Sequence, residues 1–164
     1  RSISKRYSKE IDSLYELYIE KFNLEGDPKG FQFKSYLANG NLNVSRAVDI
    51  STQANELYND KKYSEAANLY ELAFSIDQYD YTFYQNAALA HLNLKNYTKA
   101  EEYLDKVIYD FKIEDGKAIF YKGMLYLAID QDAKGCDYLY KAVQAGFSGQ
   151  GSLVVYNRFC SNSP

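Results

Sequence analysis

The chain repeats itself, and this constrains its fold more than any other feature. Displacing the sequence by 34 residues lays Ala54 on Ala88, Asn59 on Asn93, Lys61 on Lys95, Tyr63 on Tyr97 and Ala66 on Ala100. The same displacement lays Tyr70 on Leu104, Ala73 on Val107 and Phe74 on Ile108. A further 35 residues reach Gly123, Tyr126, Gly135, Leu139, Ala142 and Val143. A fixed period of this length marks stacked helix–turn–helix units, none of which can bury its apolar face alone. The residue types follow from close helix packing. Ala54, Ala88 and Gly123 recur midway along the first helix of each unit, and Ala66, Ala100 and Gly135 recur near the start of the second. Small side chains at those points allow two helices to approach, because interaxial distance depends on what stands at the contact. Leu57, Tyr70, Leu104, Tyr126 and Leu139 are expected to fill the space around them.

This succession of small, large, tyrosine and alanine positions resembles the tetratricopeptide repeat family, most clearly in the stretch 55–73, NELYNDKKYSEAANLYELA. The resemblance covers residues 47–80, 81–114 and 116–149. It departs from the family at Gly135, where alanine is usual, and at Gln78 and Lys112, where a closing proline is common. It implies an all-α solenoid of about three helical hairpins, residues 44–149. Residues 1–43 then form an N-terminal amphipathic helix and loop, and residues 150–164 a C-terminal capping helix and tail. The 18 tyrosines, with many lysines and asparagines, also resemble small bacterial repeat proteins of the Bacteroidetes.

The flanks follow from pattern. Ile3, Tyr7, Ile11, Leu14, Tyr18 and Phe22 recur every three or four residues, the spacing of an amphipathic helix. Gly26-Asp27-Pro28-Lys29-Gly30 reads as the turn that ends it. Beyond a helix stop at Ala145-Gly146, the apolar residues Leu153, Val154, Val155, Tyr156 and Phe159 read as a terminal helix covering the open end of the array. The chain begins at Arg1 and not at a methionine, so we read it as part of a longer protein.

Several chemistries are poorly served. The formal charge is −3, without a basic stripe, which argues against nucleic acid as a partner. No apolar run approaches the ~20 residues that span a bilayer. The single histidine, His91, aligns with Leu57 and Tyr126 and is expected to fill space between helices. One histidine cannot build a zinc site of the HExxH kind. Asp130-Gln131-Asp132 opens like a calcium loop, but Lys141 stands where a bidentate glutamate belongs. Asn96-Tyr97-Thr98 and Asn43-Val44-Ser45 match a glycosylation pattern short enough to arise by chance. No cluster of convergent titratable groups suggests an enzyme, and no cofactor or metal is expected.

By resemblance, the first helices of the units line a groove for a protein or peptide partner. The residues carried over are Asn55, Tyr58 and Asn59, then Gln85, Asn86, Leu89 and Asn93, then Lys117, Phe120, Tyr121 and Met124, with Ser51, Leu92 and Leu127 on the same faces. Some family members clamp a partner's terminal carboxylate with basic and asparagine side chains. Asn55, Asn86 and Lys117 match that pattern, whereas Ser51 and Tyr121 stand where basic residues are expected. The alternative is a self-associating or accessory module whose groove is filled by its own N-terminal helix. Cys136 and Cys160 are either a disulfide pair pinning the terminal helix or two separate thiols. A bond would favour an oxidising, extracytoplasmic setting.

Overall fold

The computed structural model describes residues 28–114, 116–147 and 152–160 together with the helical residues Ser13 and Leu17; apart from those two, side chains are described from Leu42 onward. The amphipathic helix read over residues 3–22 therefore lies outside the described residues, except at Ser13 and Leu17. Among the described residues from Pro28 onward, seven α-helices follow one another: α1 (Pro28–Asn59), α2 (Tyr63–Ile76), α3 (Tyr81–Asn93), α4 (Tyr97–Asp105), α5 (Lys117–Ala128), α6 (Asp132–Gln144) and α7 (Ser152–Cys160). A π-helical turn, Lys106–Asp110, continues α4. The turn read at residues 26–30 is corrected in its second half, because Pro28 to Gly30 open α1. Proline suits the first turn of a helix, where its missing N–H would have had no partner. The break falls later, at Gly40, whose φ of 70° kinks α1.

The helices gather into two compact units, one up to Ala87 and one from Ala88. In the first unit α1 and α2 form a hairpin in which Ala54, Ala66 and Ala73 are fully buried. Ala47, Ala73 and Phe83 form its core, with Ile50, Phe74 and Ile76 packed against them. The Phe74 and Tyr84 rings stack with centroids 4.2 Å apart. Asp80 starts α3 by accepting from the Thr82 N–H at 2.9 Å, which satisfies one of the helix's orphan donors.

In the second unit Ala88, Ala100, Leu104, Val107, Leu125, Leu139 and Ala142 are fully buried. Helices α5 and α6 approach more closely than a methyl group would allow. A Cβ at Gly123 would stand 2.8 Å from Leu139 Cγ, and one at Gly135 2.8 Å from Leu127 Cδ2 and 3.0 Å from Leu127 N. Leu127 is thus spent inside this hairpin, filling the space Gly135 leaves. That corrects the expectation that it faces a groove.

The period is also written in the backbone. Each hairpin turns through a non-glycine residue of positive φ: Lys61 (61°), Lys95 (58°) and Asp130 (58°). At each, two N–H groups close back on the preceding helix: Lys62 to Leu57 O at 2.9 Å, Asn96 to His91 O at 2.9 Å and Gln131 to Tyr126 O at 2.9 Å mark the longer bond. This is the Schellman arrangement, in which the last carbonyls of a helix are satisfied by the residues that leave it.

Candidate functional site

The expected groove residues fall in both units. In the first, Asn55 and Asn59 on α1 are exposed, Tyr58 and Asn86 are half-buried and Gln85 is buried. Asn55 Oδ1 accepts a 2.6 Å hydrogen bond from the Tyr70 hydroxyl, which leaves its NH2 group facing outward. Burial, with the nearby Tyr58, raises the Tyr70 pKa to about 12. The Tyr58 ring meets Tyr63 edge-on at 5.2 Å. Gln85 is only 3% exposed, and its Nε2 finds no hydrogen-bond partner among the described residues. Ser51 is 6% exposed, so this position offers neither charge nor reach to a ligand.

In the second unit six of the expected residues converge. Leu89, Leu92 and Asn93 on α3, with Phe120, Tyr121 and Met124 on α5, line a cavity of about 280 Å³ together with Tyr97 and Ala128. Spacings of three and four residues put the α3 and α5 members on one face of each helix. The walls are mostly apolar. Polar atoms enter from Asn93, whose Nδ2 donates to Leu89 O at 2.9 Å, and from the tyrosines. Lys117 lies one turn before Tyr121, with Nζ 6.0 Å above that ring. Phe120 meets Phe147 at 5.4 Å between centroids, so the pocket wall is backed by the segment after α6. Tyr97 and Ala128 escape the sequence reading. Tyr97 aligns with Tyr63 in the repeat, and nothing in that pattern marks it for a pocket.

A second cluster has no counterpart in the repeat pattern. Lys122 on α5 is 3% exposed, and its ammonium donates to Asp105 on α4. The same Nζ lies 5.1 Å from the Tyr109 and Tyr138 ring centroids and 5.9 Å from that of Tyr126. Burial alone would lower the lysine's pKa, but the hydrogen bond and charge of Asp105 hold it above its ordinary value. Tyr126 donates to Glu101, and burial followed by that bond raises its pKa. His91 is buried beside Tyr103, with centroids 5.7 Å apart. Among the described residues no group of three or more His, Cys, Asp or Glu could hold a metal ion. No helix there is long and apolar enough to cross a membrane.

Known proteins resemble this arrangement in sequence and in fold. A tetratricopeptide-repeat family model matches residues 49–80. The Hsp70-Hsp90 organising protein of Plasmodium falciparum is 40% identical over 65 residues, 38% of this chain. Serine/threonine-protein phosphatase 5 of Arabidopsis thaliana is 39% identical over 57 residues, 35% of this chain. These matches span 12% and 11% of the two relatives. Among solved structures, the Arabidopsis OM64 tetratricopeptide-repeat domain superimposes with a TM-score of 0.67 at 21% identity, over 74% of this chain and 99% of that one. The first tetratricopeptide-repeat domain of Spaghetti (RPAP3), bound to the HSP90 peptide SRMEEVD, gives 0.65 at 17% identity, over 71% and 92%. Residues 49–80 thus carry the tetratricopeptide-repeat sequence pattern, and the helical-hairpin fold is the fold of tetratricopeptide-repeat domains.

Proposed function

We propose that the chain is a non-catalytic interaction module that holds a partner peptide or helix by an apolar side chain seated in the pocket between α3 and α5. One observation carries the reading: a mostly apolar cavity of about 280 Å³ whose lining also includes Asn93, Tyr97 and Tyr121. A concave, largely apolar site with a few polar groups is the ordinary form of a ligand pocket. Helix-in-groove and extended-peptide recognition both use apolar anchors of this kind. Relatives include an Hsp70-Hsp90 organising protein, and a structural neighbour holds an acidic HSP90 peptide. A charged clamp for such a terminus is not the mode proposed here. Ser51 is buried and uncharged, Tyr121 carries no charge, and Lys117 alone makes no multi-point clamp. In the first unit the amides of Asn55, Asn59 and Asn86 are suited to hydrogen-bonding a peptide main chain, whereas Gln85 is too buried to reach one.

Selection from a displayed random-peptide library tests the proposal. Selected peptides should share an apolar residue at one position, and Phe120→Ala should weaken them about tenfold or more, a loss of ~1.4 kcal/mol, while circular dichroism stays unchanged. Selection of acidic C-termini, or equal binding by the variant, would contradict it. A second reading is favoured by α7, where Leu153, Val154 and Phe159 are 55%, 69% and 53% exposed. Self-association through the adjacent exposed residues Leu153 and Val154 predicts a sedimentation mass that rises with concentration and falls back in Val154→Glu.

A further inference from the structure

The terminal helix α7 is attached to its unit in an unusual way. Of its nine residues only Ser152 and Cys160 are buried. Its larger apolar residues Leu153, Val154 and Phe159 face outward. A helix this short is not stable in water by itself, since isolated helices need roughly 12–15 residues to form even marginally. Half-buried Val155 and Tyr156 add a modest packing contact, the Tyr156 ring meeting Tyr140 on α6 at 6.0 Å. A covalent bond completes the attachment: Cys160 is bonded to Cys136 on α6, with Cα atoms 5.5 Å apart. At its other end the Ser152 hydroxyl donates to Phe147 O, while the Phe147 N–H donates to Ala142 O at 3.1 Å. Phe147 is therefore held from α6 on one side and from α7 on the other. Its Cβ occupies the space that Gly116, at φ 75°, leaves open before α5, and its ring backs Phe120 in the pocket wall.

We propose that the Cys136–Cys160 disulfide is a redox-sensitive latch on the pocket: the bond holds α7, α7 holds Phe147, and Phe147 holds Phe120. This rests on the pocket being the binding site only for its consequence in affinity; the mechanical link stands on the geometry alone. The reductant is a dithiol. It gives two electrons to the S–S bond, which breaks; each cysteine sulfur takes one proton, and the dithiol leaves as its cyclic disulfide. The released helix frays, Phe147 loses the Ser152 bond, and the Phe120 side of the pocket loosens. Phe147 is thus a positioning residue for the pocket and not part of its lining.

Met124 lines the pocket and is the chain's one methionine, so a carbon-13 methyl label on methionine reports the pocket with a single signal. The test compares oxidised protein, protein treated with dithiothreitol, and oxidised Phe147→Ala, without ligand, with thiols counted by alkylation and mass spectrometry. The latch predicts that the Met124 signal shifts or broadens on reduction, that Phe147→Ala displaces it similarly, and that the circular dichroism of the other helices persists. Cys136→Ser/Cys160→Ser should match the reduced protein. An unmoved signal with two thiols counted would overturn the proposal. So would a shift that comes with global loss of helix, because the bond would then hold the whole unit and not tune the pocket. Peptides selected on the oxidised protein should bind about 5-fold or more weakly after reduction, the low end of ordinary coupling between sites. A moving Met124 signal in a protein that selects no peptide would remove the binding reading and leave the latch intact.

Discussion

The first and last hairpins solve one packing problem in different ways. In α1/α2 the close contact is made by Ala54 and Ala66, and the surroundings are aliphatic and aromatic. In α5/α6 both contact residues are glycine, and Leu139 and Leu127 lie where the missing methyl groups would be. Around this closer approach stand a buried lysine with its tyrosines and a disulfide, neither of which has an equivalent among the described residues of the first hairpin. The segment that follows the repeat pattern most closely supplies generic architecture; it is also where the family model matches. The segment that departs from the pattern carries the features particular to this chain. A weaker repeat signal here marks specialisation of a hairpin and not its loss.

Substitutions can break or sharpen this contrast. Gly135→Ala should cost about 2–3 kcal/mol by overpacking, because backbone as well as side chain of Leu127 stands in the way. The reciprocal Ala66→Gly should cost about 1 kcal/mol, the helix penalty of glycine. Urea unfolding measures both, and equal costs would erase the contrast. Next, Lys122→Ala should destabilise by about 2 kcal/mol, because it strips a buried cation from Asp105 and three rings while the half-exposed carboxylate can rehydrate. Lys122→Met, which keeps the stem, should cost less.

Tyr70→Phe should cost about 1 kcal/mol at neutral pH by removing the bond to Asn55. It should also alter the alkaline limb. The folded pKa of Tyr70 is raised from 10.0 to about 12, so between those values the unfolded chain loses a proton that the fold keeps. The parent's stability contribution is complete below pH 10.0 and is lost as pH rises toward 12. The variant should lose less over that window. The smallest effect is at the turns: Lys61→Gly should gain about 0.5 kcal/mol, relief of a left-handed backbone less the freedom glycine adds to the unfolded chain.

The fold is legible in the sequence because its period fixes both which residues are small and where the chain must turn. Ala54, Ala88 and Gly123 are buried on α1, α3 and α5, the first helices of three successive repeats, for one steric reason. The pocket's main walls are legible for the same reason, since Leu89 with Asn93 and Phe120 with Met124 lie one helical turn apart. Other parts depend on distances that one-dimensional spacing does not encode. Leu127 has groove spacing, yet it turns to fill the gap beside Gly135. Lys122 reads as an ordinary surface lysine until Asp105, seventeen residues earlier, is brought beside it. The helix at Pro28 was hidden by glycines and a proline whose composition suits a turn and a first helical turn equally well.

The central claim, that a partner's apolar side chain sits between α3 and α5, is tested most directly by photo-crosslinking. A selected peptide whose anchor residue is replaced by photo-leucine would be irradiated with the protein and the adduct mapped by mass spectrometry. The account predicts adducts at Leu89, Leu92, Phe120 or Met124. Adducts confined to Leu153, Val154 and Phe159 on α7 would contradict it and move the interaction surface to the terminal helix.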